Sequence, residues 1–129
     1  MDGRSRILIV DDDPVFAETI ATILESRNYQ VSTAYDGDEG LQKVKDEKPD
    51  MVLLDIIMPT QDGFHVCEEI KKDPQLADIP VIMLTSFAQK RGETNIPVSA
   101  GLGLEAEGYI DKPVSPEELL KKVGDLLKK

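Results

Sequence analysis

The sequence predicts an α/β fold, a parallel five-stranded sheet with helices on both faces. Three observations carry that expectation. Short β-type runs recur five times along the 129 residues. Stretches with helical apolar spacing separate them, and strands that alternate with helices build parallel sheets. The third run, Met51-Val52-Leu53-Leu54, is apolar at every position, which suits a strand buried on both faces.

In chain order, Arg6-Ile7-Leu8-Ile9-Val10 is the first strand, stopped by Asp11-Asp12-Asp13-Pro14. Asp13 before Pro14 pairs a helix N-cap with a first-turn proline. Phe16, Ile20, Ile23 and Leu24 then follow at i, i+4, i+7 and i+8, one face of a helix. Gln30-Val31-Ser32-Thr33-Ala34 is half polar, so it belongs at a sheet edge. The turn Asp36-Gly37 opens a second helix that holds Leu41 and Val44 and ends before Pro49. Phe64, Cys67 and Ile70 mark a third helix, which stops near Pro74. Pro80-Val81-Ile82-Met83-Leu84 is a buried fourth strand leading into Thr85-Ser86, and Gly108-Tyr109-Ile110-Asp111 is a short fifth leading into Lys112-Pro113. Ser115-Pro116-Glu117-Glu118 has capping-box spacing with proline at the first helical position. Leu119, Leu120, Val123, Leu126 and Leu127 give the last helix its apolar face. No linker, repeat or low-complexity stretch divides the chain, so residues 1–129 read as one domain.

Composition narrows the function classes. A formal net charge of −10 argues against direct binding to nucleic acid or to an anionic membrane, since both would be repelled. Cys67 is the only cysteine, which rules out an internal disulfide and fits a reducing compartment. No apolar run approaches the roughly 18 residues of a membrane span. Arg4 and Arg6 precede only a short apolar stretch that ends in acids, so no signal peptide is read, and the expected location is cytoplasmic.

The polar residues that follow the strands form a pattern. Asp11 and Asp12 end strand one, Asp55 ends strand three, Thr85 ends strand four and Lys112 follows strand five. In a parallel sheet these ends share one edge, with neighbouring strands about 4.8 Å apart. Such edges are where open α/β sheets bind ligands. Carboxylates that close repel one another unless a cation joins them. An all-oxygen set that leaves positions for water suits Mg²⁺ better than zinc. The constellation fits phosphoryl transfer to a carboxylate: Asp55 as the ionised attacking group, a metal ion to neutralise the phosphoryl oxygens, and Lys112 and Thr85 to hold the rest.

These residues resemble a receiver domain of the bacterial two-component response regulators, over essentially the whole chain. The match is carried by Ile7-Leu8-Ile9-Val10-Asp11-Asp12-Asp13-Pro14, by Leu54-Asp55-Ile56-Ile57-Met58-Pro59 with Asp62-Gly63, by Leu84-Thr85-Ser86 and by Tyr109-Ile110-Asp111-Lys112-Pro113. Each piece alone is weak, but four in order are specific. The resemblance implies a flavodoxin-like (βα)5 three-layer sandwich with strand order 2-1-3-4-5. It implies that Asp55 accepts a phosphoryl group from a sensor histidine kinase or histidine phosphotransfer protein. Asp12, Asp55 and the backbone carbonyl of Ile57 would bind Mg²⁺ (or Mn²⁺), with Asp11 acting more through water. Thr85 and Lys112 would hold phosphoryl oxygens, and Tyr109 would be the aromatic switch that swings inward as Thr85 moves. Such a protein catalyses only its own phosphorylation and dephosphorylation. Its expected partners are the phosphodonor and a downstream protein docked on the surface of the fourth helix, fifth strand and last helix. Direct nucleic-acid binding is not expected, and the protein would be a monomer or a phosphorylation-dependent dimer.

The chain also departs from that family. The stretch between Thr85 and Lys112 is a few residues long for it, and Pro97 would break a continuous fourth helix. A short or displaced fourth helix is therefore expected. Ile57 and Phe87 occupy positions flanking the phosphoryl group, and neither can orient an attacking water, which predicts slow self-dephosphorylation.

Two rival functions remain. Asp11-Asp12-Asp13-Pro14-Val15 also fits the opening of a haloacid-dehalogenase-type phosphatase, with Asp11 as nucleophile and Asp13 as acid. That reading lacks a downstream acidic metal motif and leaves Asp55 without a task. A receiver-fold interaction module that is never phosphorylated would not need these acids, Thr85 and Lys112 together. The glycines from Gly101 to Gly103 lack the strand placement of a dinucleotide site, and His65 with Cys67 lacks a second ligand pair for a metal.

Overall fold

The computed structural model describes residues 5–56, 63–85, 106–111 and 114–127, with Thr85 and Asp111 described by their backbone alone. Five strands, β1 (Arg6–Val10), β2 (Gln30–Ala34), β3 (Met51–Asp55), β4 (Val81–Thr85) and β5 (Gly108–Asp111), form one sheet. Their order is β2-β1-β3-β4-β5 and every pairing is parallel. This is the flavodoxin-like order. The described helices are α1 (Pro14–Glu25), α2 (Gly37–Glu47), α3 (Gly63–Lys72) and the closing helix α4 (Pro116–Leu127). The segment expected to hold a short helix between Thr85 and β5 lies outside the described residues.

Alternation along the strands builds two cores. Leu8, Val10, Val52, Leu54, Val81 and Met83 face α2 and α3, where Val44, Val66, Cys67 and Ile70 complete one buried cluster. Ile7, Ile9, Met51, Leu53, Ile82 and Leu84 face α1 and α4, meeting Ala17, Ile20, Leu24, Leu119 and Val123. A central strand must be apolar at both parities to do this, and β3 is buried at all of its positions. β2 sits at the edge and is mostly half-buried, as its polar residues require.

Local chemistry sets the helix starts. Asp13 Oδ1 accepts from the N–H groups of Val15 (3.0 Å) and Phe16 (3.3 Å) and caps α1. Asp36 Oδ1 accepts from Glu39 N at 2.8 Å, while Glu39 Oε1 accepts from Tyr35 N at 2.9 Å, a reciprocal cap for α2. Lys48 ends α2 in the left-handed region (φ 47°), with its N–H donating to Val44 O at 2.9 Å. Ser115 Oγ accepts from Glu118 N at 3.3 Å at the start of α4. Gly40 lets α2 lie close on β1, since a Cβ there would stand 2.7 Å from Val10 Cγ1. Among the described residues, no helix is long and apolar enough to cross a membrane.

Candidate functional site

Strand register delivers the acids to one place. Val10 pairs with Leu54, so the next residues along, Asp11 and Asp55, leave the same edge of adjacent strands. Asp11 N donates to Ala34 O at 3.0 Å and Ile56 N donates to Leu84 O at 3.2 Å, so the ladders continue past the apolar runs. Asp55 is thus the last residue of β3 rather than the first residue after it. One carboxylate oxygen from each of Asp11, Asp12 and Asp55 lies within 4.8 Å of the other two. Asp11 is buried, Asp55 is 4% exposed and Asp12 faces solvent. Two acids held from water thus stand beside a third that is exposed.

Backbone contacts fix the acids. Asp11 Oδ1 accepts from Asp13 N at 2.9 Å, which orients the carboxylate. Asp13 turns its own carboxylate onto the start of α1, the capping role expected of it. Gly63, in sequence only a turn signal, has a second task. Its N–H donates to Ile56 O at 2.7 Å, and a Cβ there would overlap the Asp55 carbonyl oxygen and lie 2.8 Å from Ile56 Cα. The first turn of α3 therefore rests directly on the peptide that carries the Asp55 side chain, and only glycine permits that approach.

The remaining predicted residues divide. Thr85 closes β4 and pairs with Asp111 on β5, which puts its backbone at the same sheet edge as Asp55. The Thr85 side chain and all of Ile57, Phe87 and Lys112 lie outside the described residues. Tyr109 pairs with Met83 and packs half-buried against the α2–α3 core. Burial, and then the neighbouring Cys67, raises its phenol pKa above the ordinary 10.0. His65 is exposed and Cys67 buried, a surface and a core residue as expected.

The donor set suits a hard cation. Mg²⁺ holds oxygen ligands at about 2.0–2.1 Å, so ligands on opposite sides of one ion are roughly 4.2 Å apart. Three carboxylate oxygens mutually within 4.8 Å are close to that span. Nitrogen or sulfur ligands are absent from this trio, which disfavours zinc.

Comparison with known proteins decides the family. The response regulator receiver domain family matches residues 7–124. The chain belongs to that family. Receiver relatives include the "DNA-binding dual master transcriptional regulator RpaA" of Synechocystis, 38% identical over 96% of this chain and 49% of its own length. The "DNA-binding response regulator MtrA" of Mycolicibacterium smegmatis is 34% identical over 98% of this chain and 52% of its own. The chain spans about half the length of these curated relatives. Among solved structures, a CheY-like receiver domain protein from Methanospirillum hungatei superposes with a TM-score of 0.85 at 34% identity, covering 98% of this chain and 95% of that one.

These relatives overturn one expectation. Net charge argues against direct nucleic-acid binding, yet RpaA and MtrA are DNA-binding proteins that contain a similar receiver. The inference fails because −10 is the charge of a receiver-sized stretch alone, three of whose acids are gathered at one site. Such a charge describes that surface and cannot exclude DNA binding by the longer proteins in which such domains occur.

Proposed function

We propose that this receiver domain is a Mg²⁺-dependent phosphoacceptor and that Asp55 carries the phosphoryl group. The observation that bears most of the weight is the trio itself: Asp55, nearly buried at a strand end, with carboxylate oxygens of Asp11 and Asp12 within 4.8 Å. Asp11, Asp12, Asp55 and the carbonyl of Ile57 would hold the ion. When bound, Mg²⁺ neutralises phosphoryl charge that three carboxylates would otherwise repel. An Asp55 carboxylate oxygen forms the new bond to phosphorus as the phosphorus–nitrogen bond of a donor phosphohistidine breaks, and the departing imidazole keeps the electron pair and takes a proton. Thr85 and Lys112 supply a hydroxyl and an ammonium to the phosphoryl oxygens. Tyr109, a protonated half-buried phenol, is the switch residue whose movement reports the state of the site to a partner surface.

The phosphodonor in this reading is a sensor histidine kinase or a histidine phosphotransfer protein, and the reaction takes place in the cytoplasm. The protein acts on no separate substrate. By analogy with RpaA and MtrA, the output governed by the phosphorylated domain is transcriptional regulation at DNA. The capping role of Asp13 weighs against the dehalogenase-type reading, which needs that carboxylate as an acid. The test is incubation with phosphoramidate in Mg²⁺ or in EDTA, followed by intact mass. The expected result is one added phosphoryl group in Mg²⁺, none in EDTA and none in Asp55→Asn. Uptake by Asp55→Asn equal to the parent would refute the assignment.

A further inference from the structure

At the opposite end of β4 and β5 from Thr85 and Asp111, an ion pair does something that no motif announced. Lys71, near the end of α3, has a side chain only 7% exposed, and its ammonium makes three bonds. It donates to the carbonyls of Ala77 (3.0 Å) and Ile79 (2.8 Å) and to Glu107 Oε2 (3.0 Å). The other carboxylate oxygen, Glu107 Oε1, accepts from Val81 N at 2.7 Å, while Glu107 N donates to Val81 O at 2.8 Å. Glu107 therefore grips both polar groups of the first residue of β4, and Lys71 holds Glu107 in that grip.

The consequence lies in β5. That strand is four residues long, begins with a glycine and pairs in the sheet with β4, so among the described residues its register rests on that ladder, on the opposite facing of its side chains and on the anchor at Glu107. A slip of one residue would exchange the faces of Tyr109 and Ile110, which now lie in opposite cores. It would also shift Asp111 relative to Thr85, and with it the point from which Lys112 departs. We infer that Glu107, held by Lys71, is a positioning residue for phosphoryl transfer. It sets the register of β5 from the start of the strand, four residues or about 13 Å of strand rise before Asp111. This inference rests on the acceptor reading given above.

Asp11 and Asp12 follow β1 and Asp55 ends β3, whereas Thr85 ends β4 and Lys112 is the next residue in sequence after β5, and the experiment exploits that division. The full chain is compared with Glu107→Gln, which keeps an acceptor for Val81 N, and with Glu107→Ala, which keeps none. Three quantities are read: Mg²⁺ affinity by calorimetry, the rate of phosphorylation by phosphoramidate, and amide hydrogen exchange. Expected are Mg²⁺ affinities within about twofold of the parent and faster exchange confined to β5 and to the Val81 amide that Glu107 holds. The phosphorylation rate should fall in the order parent, Gln, Ala, with Ala slower by roughly ten- to a hundredfold, the range for a displaced catalytic group. Phosphorylation at the parental rate in both variants would overturn the proposal. So would Mg²⁺ affinity falling in parallel with the rate, since that marks general loss of structure; if Ala does not fold, the Gln variant decides by the same criteria. A parent that takes up no phosphoryl group sinks the acceptor reading itself, a distinct result.

Discussion

Replacing Gly63 by alanine tests how tightly the acceptor strand is held. By helix propensity alone, Ala gains over Gly by up to about 1 kcal/mol, and less at the first position of α3. The packing points the other way. The new methyl would overlap the Asp55 carbonyl oxygen and stand 2.8 Å from Ile56 Cα, and both obstacles are backbone. Relieving that contact means moving α3 or the end of β3, and overpacking of this kind costs about 1–3 kcal/mol. The net expectation is a loss of about 1–2 kcal/mol, or a fall of roughly 4–8 °C in melting temperature at this chain length. Gly124 supplies the control. It lies within α4, and a methyl added there would meet nothing within 4 Å, so Gly124→Ala should stabilise by about 0.5–1 kcal/mol. Thermal unfolding followed by circular dichroism separates the two signs. A Gly63→Ala protein that melts at or above the parent would refute the claim that α3 rests on the Asp55 peptide.

Removing the α1 cap by Asp13→Ala should cost about 1 kcal/mol in chemical denaturation yet leave phosphorylation by phosphoramidate within about twofold of the parent. Loss of labelling there would revive the dehalogenase-type assignment. Phospho-Asp55 should decay more slowly in the parent than in Ile57→Asn at neutral pH, because asparagine can orient a water and isoleucine cannot; equal or faster decay in the parent contradicts this. For Tyr109 the sign follows from a phenol pKa raised above 10.0 in the fold. Below pH 10 the phenol is protonated in both states and its contribution is intact. Above pH 10 the unfolded chain ionises first, so stability falls as pH rises toward the raised value. Denaturation from pH 9 to 11 should show a steeper loss for the parent than for Tyr109→Phe, and parallel curves would refute the burial argument.

Much of this architecture is legible in the sequence because it rests on local signals. Strand parity, the Asp13-Pro14 cap and the half-polar edge strand are each written within a few consecutive residues. The gathering of Asp11, Asp12 and Asp55 follows once parallel strands are assumed, since the acids come directly at the strand ends. Lys71 and Glu107 are invisible there for the opposite reason. They stand 36 residues apart in chain, each in an ordinary polar setting, and only the fold makes them partners. Gly63 carries a turn signal that conceals its packing role, because a close approach between backbones leaves no periodic trace. The exclusion of nucleic acid goes astray by extending the charge of one domain to a whole protein's partners.

The central claim is that a single aspartyl side chain at the end of β3 becomes an acyl phosphate. Borohydride reduces an acyl phosphate to an alcohol, which marks the modified residue permanently. After phosphorylation in Mg²⁺, reduction and proteolysis, peptide mass spectrometry should find homoserine at position 55 and an unmodified Asp11. Homoserine at position 11, or at neither position in a protein that had taken up phosphoryl mass, would contradict the account.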